Sequence, residues 1–260
     1  MTIKTKASFT YGHTVTDENS SFNFIEGVGA EQTASIEVGS YTLDAYSDAV
    51  SVALNASGSL TYTTTLDRAT RLITINSDGA FDLLITSGTL ATASSYSLIG
   101  FSGADLTGLL TYTGDLPSGE IFIPQFYLQK FVDFADIVKT TQANINTTPS
   151  GLVEVVSYGT VNFMECNITL QTNIAQGKGS IIDTDAQGYE NLRSFLTYCI
   201  TKAPIEFIPD KDNPDLNYTD CLLEKSQGSS KGVDFKIKEL YSKGYAEYYE
   251  SSLLTFRKLI

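Results

Sequence analysis

The chain contains no tryptophan, one histidine and three cysteines. Histidine-based nucleophilic catalysis needs a base held beside a nucleophile, and a single histidine leaves little material for one. That residue, His13, lies near the start of the chain, and no Gly-x-Ser-x-Gly elbow occurs anywhere. His13 reads as a surface or turn histidine. Cys166, Cys199 and Cys221 are odd in number, fit no zinc spacing and have apolar neighbours. They read as core thiols of a reduced compartment. Bases are scarce beside acids, 17 Lys and Arg against 30 Asp and Glu, for a net charge of −13. That balance argues against a nucleic-acid surface and against an electrostatic anchor on anionic lipid. It favours solubility at high local concentration.

Long apolar runs are also missing, so no segment is expected to insert in a membrane. Met1 to Lys6 carries charge with no apolar stretch behind it, so no signal peptide is expected and folding in a cytoplasm is. The Asn-X-Ser/Thr sequons at Asn19, Asn55, Asn146, Asn167 and Asn217 then carry little weight.

What the sequence does have is strand pattern. Phe22 to Gly27 and Thr33 to Val38 alternate with a period of two, and Gly39 to Thr42 breaks that period. Leu43, Tyr46, Val50, Ala53 and Leu54 then recur at helical spacing, with Thr42 placed to cap the helix and Gly58 to end it. Leu60 to Leu66, Arg71 to Asn76 and Ala80 to Thr86 read as strands. Asp67 to Thr70 and Ser77 to Gly79 supply turns between them. Tyr96 to Phe101 reads as one turn of helix stopped by Gly100, and Leu109 to Thr113 as a strand. Gly114 to Gly119 is the best boundary in the chain.

Beyond it, Glu120 to Asp136 is dense in large apolar residues, and Pro124 rules out a helix through its middle. Thr140 to Gly151 reads as a loop or hairpin tip, and Gly151 to Tyr158 and Thr160 to Thr172 as strands around Gly159. Gln176 to Ser180 is a turn without the Lys-Ser/Thr pair of a phosphate loop. Asp185 to Lys202 reads as the second helix, with Asp185 as N-cap, Tyr189, Leu192, Leu196, Cys199 and Ile200 as its buried stripe, and Pro204 beyond its end. Ile205 to Ile208, Tyr218 to Glu224, Val233 to Leu240 and Ser251 to Ile260 read as strands. Arg257 and Lys258 are expected to blunt an edge strand.

Two features invite a ligand. Asp210, Asp212 and Asp215 offer oxygens, but Pro214 stands near where a calcium loop needs glycine, and no downstream Glu closes the site. A capped turn is the expectation. Tyr245, Tyr248 and Tyr249 stand beside Glu247 and Glu250 and read as a packed turn or subunit contact, with glycan stacking as the alternative. No local pattern singles out a carboxylate pair for glycoside hydrolysis. The expected catalytic, cofactor-binding and metal sets are all empty.

The expected fold is mainly β, of α+β type: β-sandwich-like modules with two short amphipathic helices. Residues 1–20 form an N-terminal arm or strand, 21–117 a small α+β module, and 118–260 a β-sandwich with one helix. Deleting Met1 to Asp17 is expected to impair assembly and leave the fold intact.

The runs "FNFIEGVGAEQTASIEVGSYT", "ALNASGSLTYT", "RLITINSDGAFDLLI" and "LIGFSGADLTGLLTYTGD" resemble a module of structural proteins from tailed-phage and other viral particles. The run "YENLRSFLTYCITKAPIEFIPDKDNPDLNYTDCLLE" followed by "SLLTFRKL" resembles, in pattern, the terminal portion of phage tail or baseplate β-sandwich proteins. The first likeness covers a little over a third of the chain, and the second its last quarter. The resemblance implies a non-enzymatic virion component of a tail, baseplate or neck, assembled in the host cytoplasm. Its implied partners are copies of itself in a ring and other virion proteins. The alternatives are an exterior receptor- or glycan-binding module and a head decoration or minor capsid protein.

Overall fold

A computed structural model describes residues 7–123, 138–147, 153–166, 169–172, 189–201, 203–216, 219–226, 237–242, 247–251 and 254–259. The fold is mainly β, of α+β type, as the alternation predicts. It divides into two compact units. One comprises Ser8–Ile121 with Pro204–Tyr218, and the other Met1–Ala7, Phe122–Ala203 and Thr219–Ile260. This differs from a division at Ser118, because the two units exchange segments that lie far apart in sequence.

In the first unit, strand β1 (Ser8–Tyr11) pairs antiparallel with β13 (Ile205–Ile208), matching Phe9 to Phe207. Strand β2 (His13–Val15) pairs with β5 (Gly39–Tyr41). The stretch expected to serve only as a break at Gly39 is thus a short strand. Of the expected N-terminal arm or strand, Ser8–Tyr11 and His13–Val15 are strands: Phe9, His13 and Val15 are buried, so removing residues 1–17 takes out core rather than a tether.

A five-stranded sheet forms the body of this unit. Strand β3 (Ser21–Glu26) pairs with β4 (Gln32–Ser35) and with the C-terminal half of β7 (Leu72–Leu83). Strand β6 (Tyr62–Asp67) pairs with the N-terminal half of β7, and β8 (Leu106–Thr113) also pairs with β7. Ser77 to Gly79 is not the expected turn. It lies inside β7, at a register shift between Asn76 and Phe81. The physical reason is a long-range contact: Asp78 accepts the Thr61 amide at 2.9 Å, so the polar triplet serves as a bulge.

Helix α1 (Leu43–Ser57) buries Leu43, Tyr46, Val50, Ala53 and Leu54, the predicted stripe. Tyr46, Val50, Ala53 and Leu54 pack with Phe22, Phe24, Ile73, Ile75, Phe81 and Leu83 in one core. Thr42 caps the helix by accepting the Ala45 amide at 3.3 Å. The short α2 (Tyr96–Ile99) ends at Gly100 with φ 100°, a left-handed conformation that favours glycine. A Cβ there would also overlap the Leu116 carbonyl oxygen.

After β9 (Glu120–Phe122), β10 (Val138–Thr147) of the second unit pairs with β11 (Val153–Cys166), β11 with β17 (Leu254–Lys258), and β17 with β14 (Thr219–Ser226). Of the stretch from Thr140 to Gly151, expected as a loop or hairpin tip, residues 140–147 are strand and 148–151 lie outside the described residues, and Gly159 lies inside β11 without breaking it. Cross-strand pairing between the arms of one hairpin, such as Ile145 with Val155, outweighs the polar composition that suggested a loop. A second sheet orders β12 (Thr169–Thr172), β16 (Glu247–Ser251) and β15 (Ile237–Ser242).

Helix α3 (Tyr189–Ile200) carries buried Phe195, Leu196 and Cys199, with Phe195 stacked on Phe122 at 5.0 Å. Asp185 lies outside the described residues. Strand β17 is central rather than an edge, so Arg257 does not blunt one. Its guanidinium instead grips Glu224 through two hydrogen bonds of 2.8 and 2.7 Å.

Candidate functional site

His13 is not at the surface. Strand β2 alternates buried, exposed, buried, which turns the imidazole inward with Val15. The ring stacks on Tyr46 of α1 at 4.5 Å and 16°. Among the described residues neither ring nitrogen has a hydrogen-bond partner. A Cβ on Gly119 would lie 2.7 Å from Nε2, so the chain passes close to the ring there. Burial, and then the positive charge of Arg71, hold the imidazole down at about 4. Arg71 takes a positive φ of 60° and donates to the Gly119 carbonyl at 2.6 Å. His13 is therefore a neutral core group at neutral pH.

Glu26 is fastened in the opposite way. One carboxylate oxygen accepts the Leu60 amide at 3.0 Å and the Tyr62 hydroxyl at 2.9 Å. The Ser59 hydroxyl donates at 2.5 Å and the Ser59 amide at 2.9 and 3.0 Å. Burial pushes this carboxyl up, but the Ser59, Leu60 and Tyr62 donors outweigh it and hold it near 2. This cradle explains Gly58. That residue has φ −94°, open to any amino acid, so conformation does not select it. Space does, because a Cβ on Gly58 would overlap Glu26 Oε1.

Glu206 combines the burial of one with the partners of the other. It sits on β13, is fully buried, and accepts the Thr10 hydroxyl and the Asp44 amide, each at 2.9 Å. The second donor is in the first turn of α1, where a carboxylate complements the helix dipole. Neither Glu26 nor Glu206 was visible as a structural group in the sequence. The partners of Glu206 lie 196 and 162 residues away, beyond any local signal.

The acidic loop is a turn capped by its own side chains. Asp210 accepts the Asp212 amide at 3.1 Å and the Asn213 side chain at 2.9 Å. Asp215 faces Arg68 at 3.5 Å, and Arg68 also pairs with Asp44. Among the described residues no three His, Cys, Asp or Glu side chains converge as a metal site. Cys199 and Cys221 are buried thiols. Tyr245 lies outside the described residues. Tyr248 and Tyr249 are consecutive in β16, with Tyr248 opposite Gln171 and Tyr241, and Tyr249 opposite Leu170 and Glu239. Among the described residues no helix is long and apolar enough to cross a membrane.

The arrangement defines a mainly β, α+β protein whose displaced ionisable groups fasten loops and strand ends. Against known proteins, the chain matches no family model and no curated protein. The likeness to virion proteins therefore rests on the residues quoted for it.

Proposed function

We propose that the chain is a non-enzymatic structural component of a bacteriophage virion, of its tail, baseplate or neck. It acts by self-assembly into a ring and by contact with adjacent rings and other virion proteins. The observation that carries this reading is the use made of the displaced ionisable groups. His13 is packed against Tyr46, and Glu26 and Asp105 hold neighbouring loops through hydrogen bonds. Each is engaged in holding the fold, which leaves strand edges and surfaces as the means of action. The resemblance of the run from Phe22 to Thr113 supplies the class of particle. A ring requires complementary patches on each subunit. Light scattering with negative-stain imaging of the purified chain tests the reading. Closed rings are the expected result, and a single-chain mass at every concentration would contradict it.

A further inference from the structure

Strand β8 is the exposed edge of the five-stranded sheet. Among the described residues it pairs only with β7. The other edges of this sheet are guarded. Helix α1 packs against β6, which ends in Asp67, and β4 is four residues long and follows Glu31. Strand β8 carries no acid or base from Leu106 to Thr113, and Leu109 and Leu110 stand 57% and 53% exposed. Natural edges normally avoid this combination, because an uncharged open edge invites another strand. A bulge interrupts β8 at Gly108, whose amide turns to Asp82 at 2.7 Å. Leu109 to Thr113 lies beyond it and pairs with β7 across the register shift between Asn76 and Phe81, with the Leu109 amide donating to the Tyr112 hydroxyl at 2.9 Å.

The solvent face beside this edge is a ladder of hydroxyl and amide side chains. Pairing aligns Thr63, Asn76 and Thr111 in one row, and Thr65, Thr74 and Thr113 in the next. The rows are joined by hydrogen bonds, Thr111 to Asn76 at 3.0 Å and Thr74 with Thr113 at 2.9 Å.

We propose that the Leu109–Thr113 edge pairs antiparallel with the same edge of a second copy, about a two-fold axis at Thr111. Thr111 then meets Thr111 of the second copy, Leu109 meets Thr113, and Leu110 meets Tyr112. Every opposed pair is uncharged, and the Thr63–Asn76–Thr111 row continues into its own mirror sequence. The lack of charge selects the occupant. Each copy carries a net charge of −13, so a basic partner would be drawn to the acidic surface rather than to this strip. An uncharged strand fits it, and β8 is itself such a strand. The same net charge makes the contact stronger as salt screens the two copies. This inference rests on the self-assembly reading for the identity of the occupant; the two-fold contact joins copies in pairs and is distinct from the head-to-tail contact that closes a ring.

Sedimentation of the full chain over a concentration series, at low and at raised salt, tests it with variants at the axis. Thr111→Lys and Thr111→Glu each place like charges across the two-fold. Each alone is expected to weaken association by about tenfold or more. Mixing the two variants opposes Lys to Glu and is expected to restore association. Circular dichroism melts close to wild type show that both variants fold. Wild-type self-association that both variants retain would overturn the β8 contact while leaving self-assembly standing. A wild-type chain that is monomeric under all conditions would overturn both. Weakening by only one of the two variants would point to a charged partner surface and would also overturn the two-fold contact.

Discussion

His13 and Glu26 hold the same unit together by opposite means. His13 is buried, has no hydrogen-bond partner among the described residues, and is kept neutral by burial and by Arg71. Glu26 is half-exposed, surrounded by donors from Ser59, Leu60 and Tyr62, and kept charged by them. Burial aided by a nearby cation, and hydrogen bonding that outweighs burial, thus displace two groups in the same downward direction, with different consequences for acid stability. Glu206 separates the two variables, because it is as buried as His13 and accepts hydrogen bonds as Glu26 does.

The largest effect is expected at Glu206. Replacing it with Leu strands the Thr10 hydroxyl and the first-turn amide of Asp44 inside the unit. A loss of about 4 kcal/mol is expected in urea unfolding. A loss below about 1 kcal/mol would mean that burial rather than partnership sets its contribution.

His13 should come next. Its folded value lies below its ordinary 6.5, so its contribution is complete above pH 6.5 and is lost as pH falls toward about 4. The loss should be on the order of 3 kcal/mol, at ~1.4 kcal/mol per pH unit of displacement. Urea midpoints measured from pH 7 to pH 4 would show the decline, and His13→Leu should flatten it. An unchanged slope in that variant would place the acid sensitivity elsewhere.

Glu26 is expected to act in a lower window. Its stabilisation is full above pH 4.5 and fades as pH falls through about 2. Glu26→Gln should cost about 1–2 kcal/mol at neutral pH, because amide oxygens accept less strongly than a carboxylate. Gly58→Ala should reproduce that loss by displacing the same carboxylate. Agreement of the two variants in thermal melts would confirm that Gly58 is selected by space. The smallest effect belongs to Thr111→Glu, which should change the stability of the isolated chain by less than about 0.5 kcal/mol.

What the sequence revealed follows from how local each cause is. Helix α1 was legible because its cap, its stripe and its end fall within seventeen consecutive residues. The turn at Gly100 was legible for the same reason. Ser77 to Gly79 misled because a side chain on another segment turns a sequence that favours a turn into a bulge. His13 did carry a usable signal, since His13 and Val15 share one strand parity, and the apolar Val15 marks the inward face. The cradles of Glu26 and Glu206 had no local signature, because their donors come from segments that only the fold brings near. The open edge at β8 depends on which strand ends the sheet, and that is a property of topology.

The most direct test of the whole account is the mass of the wild-type chain in solution, measured by light scattering at low and at raised salt. The account predicts a mass that is a multiple of one chain and that grows as salt screens the net charge of −13. The mass of one chain, unchanged by concentration or salt, would contradict it.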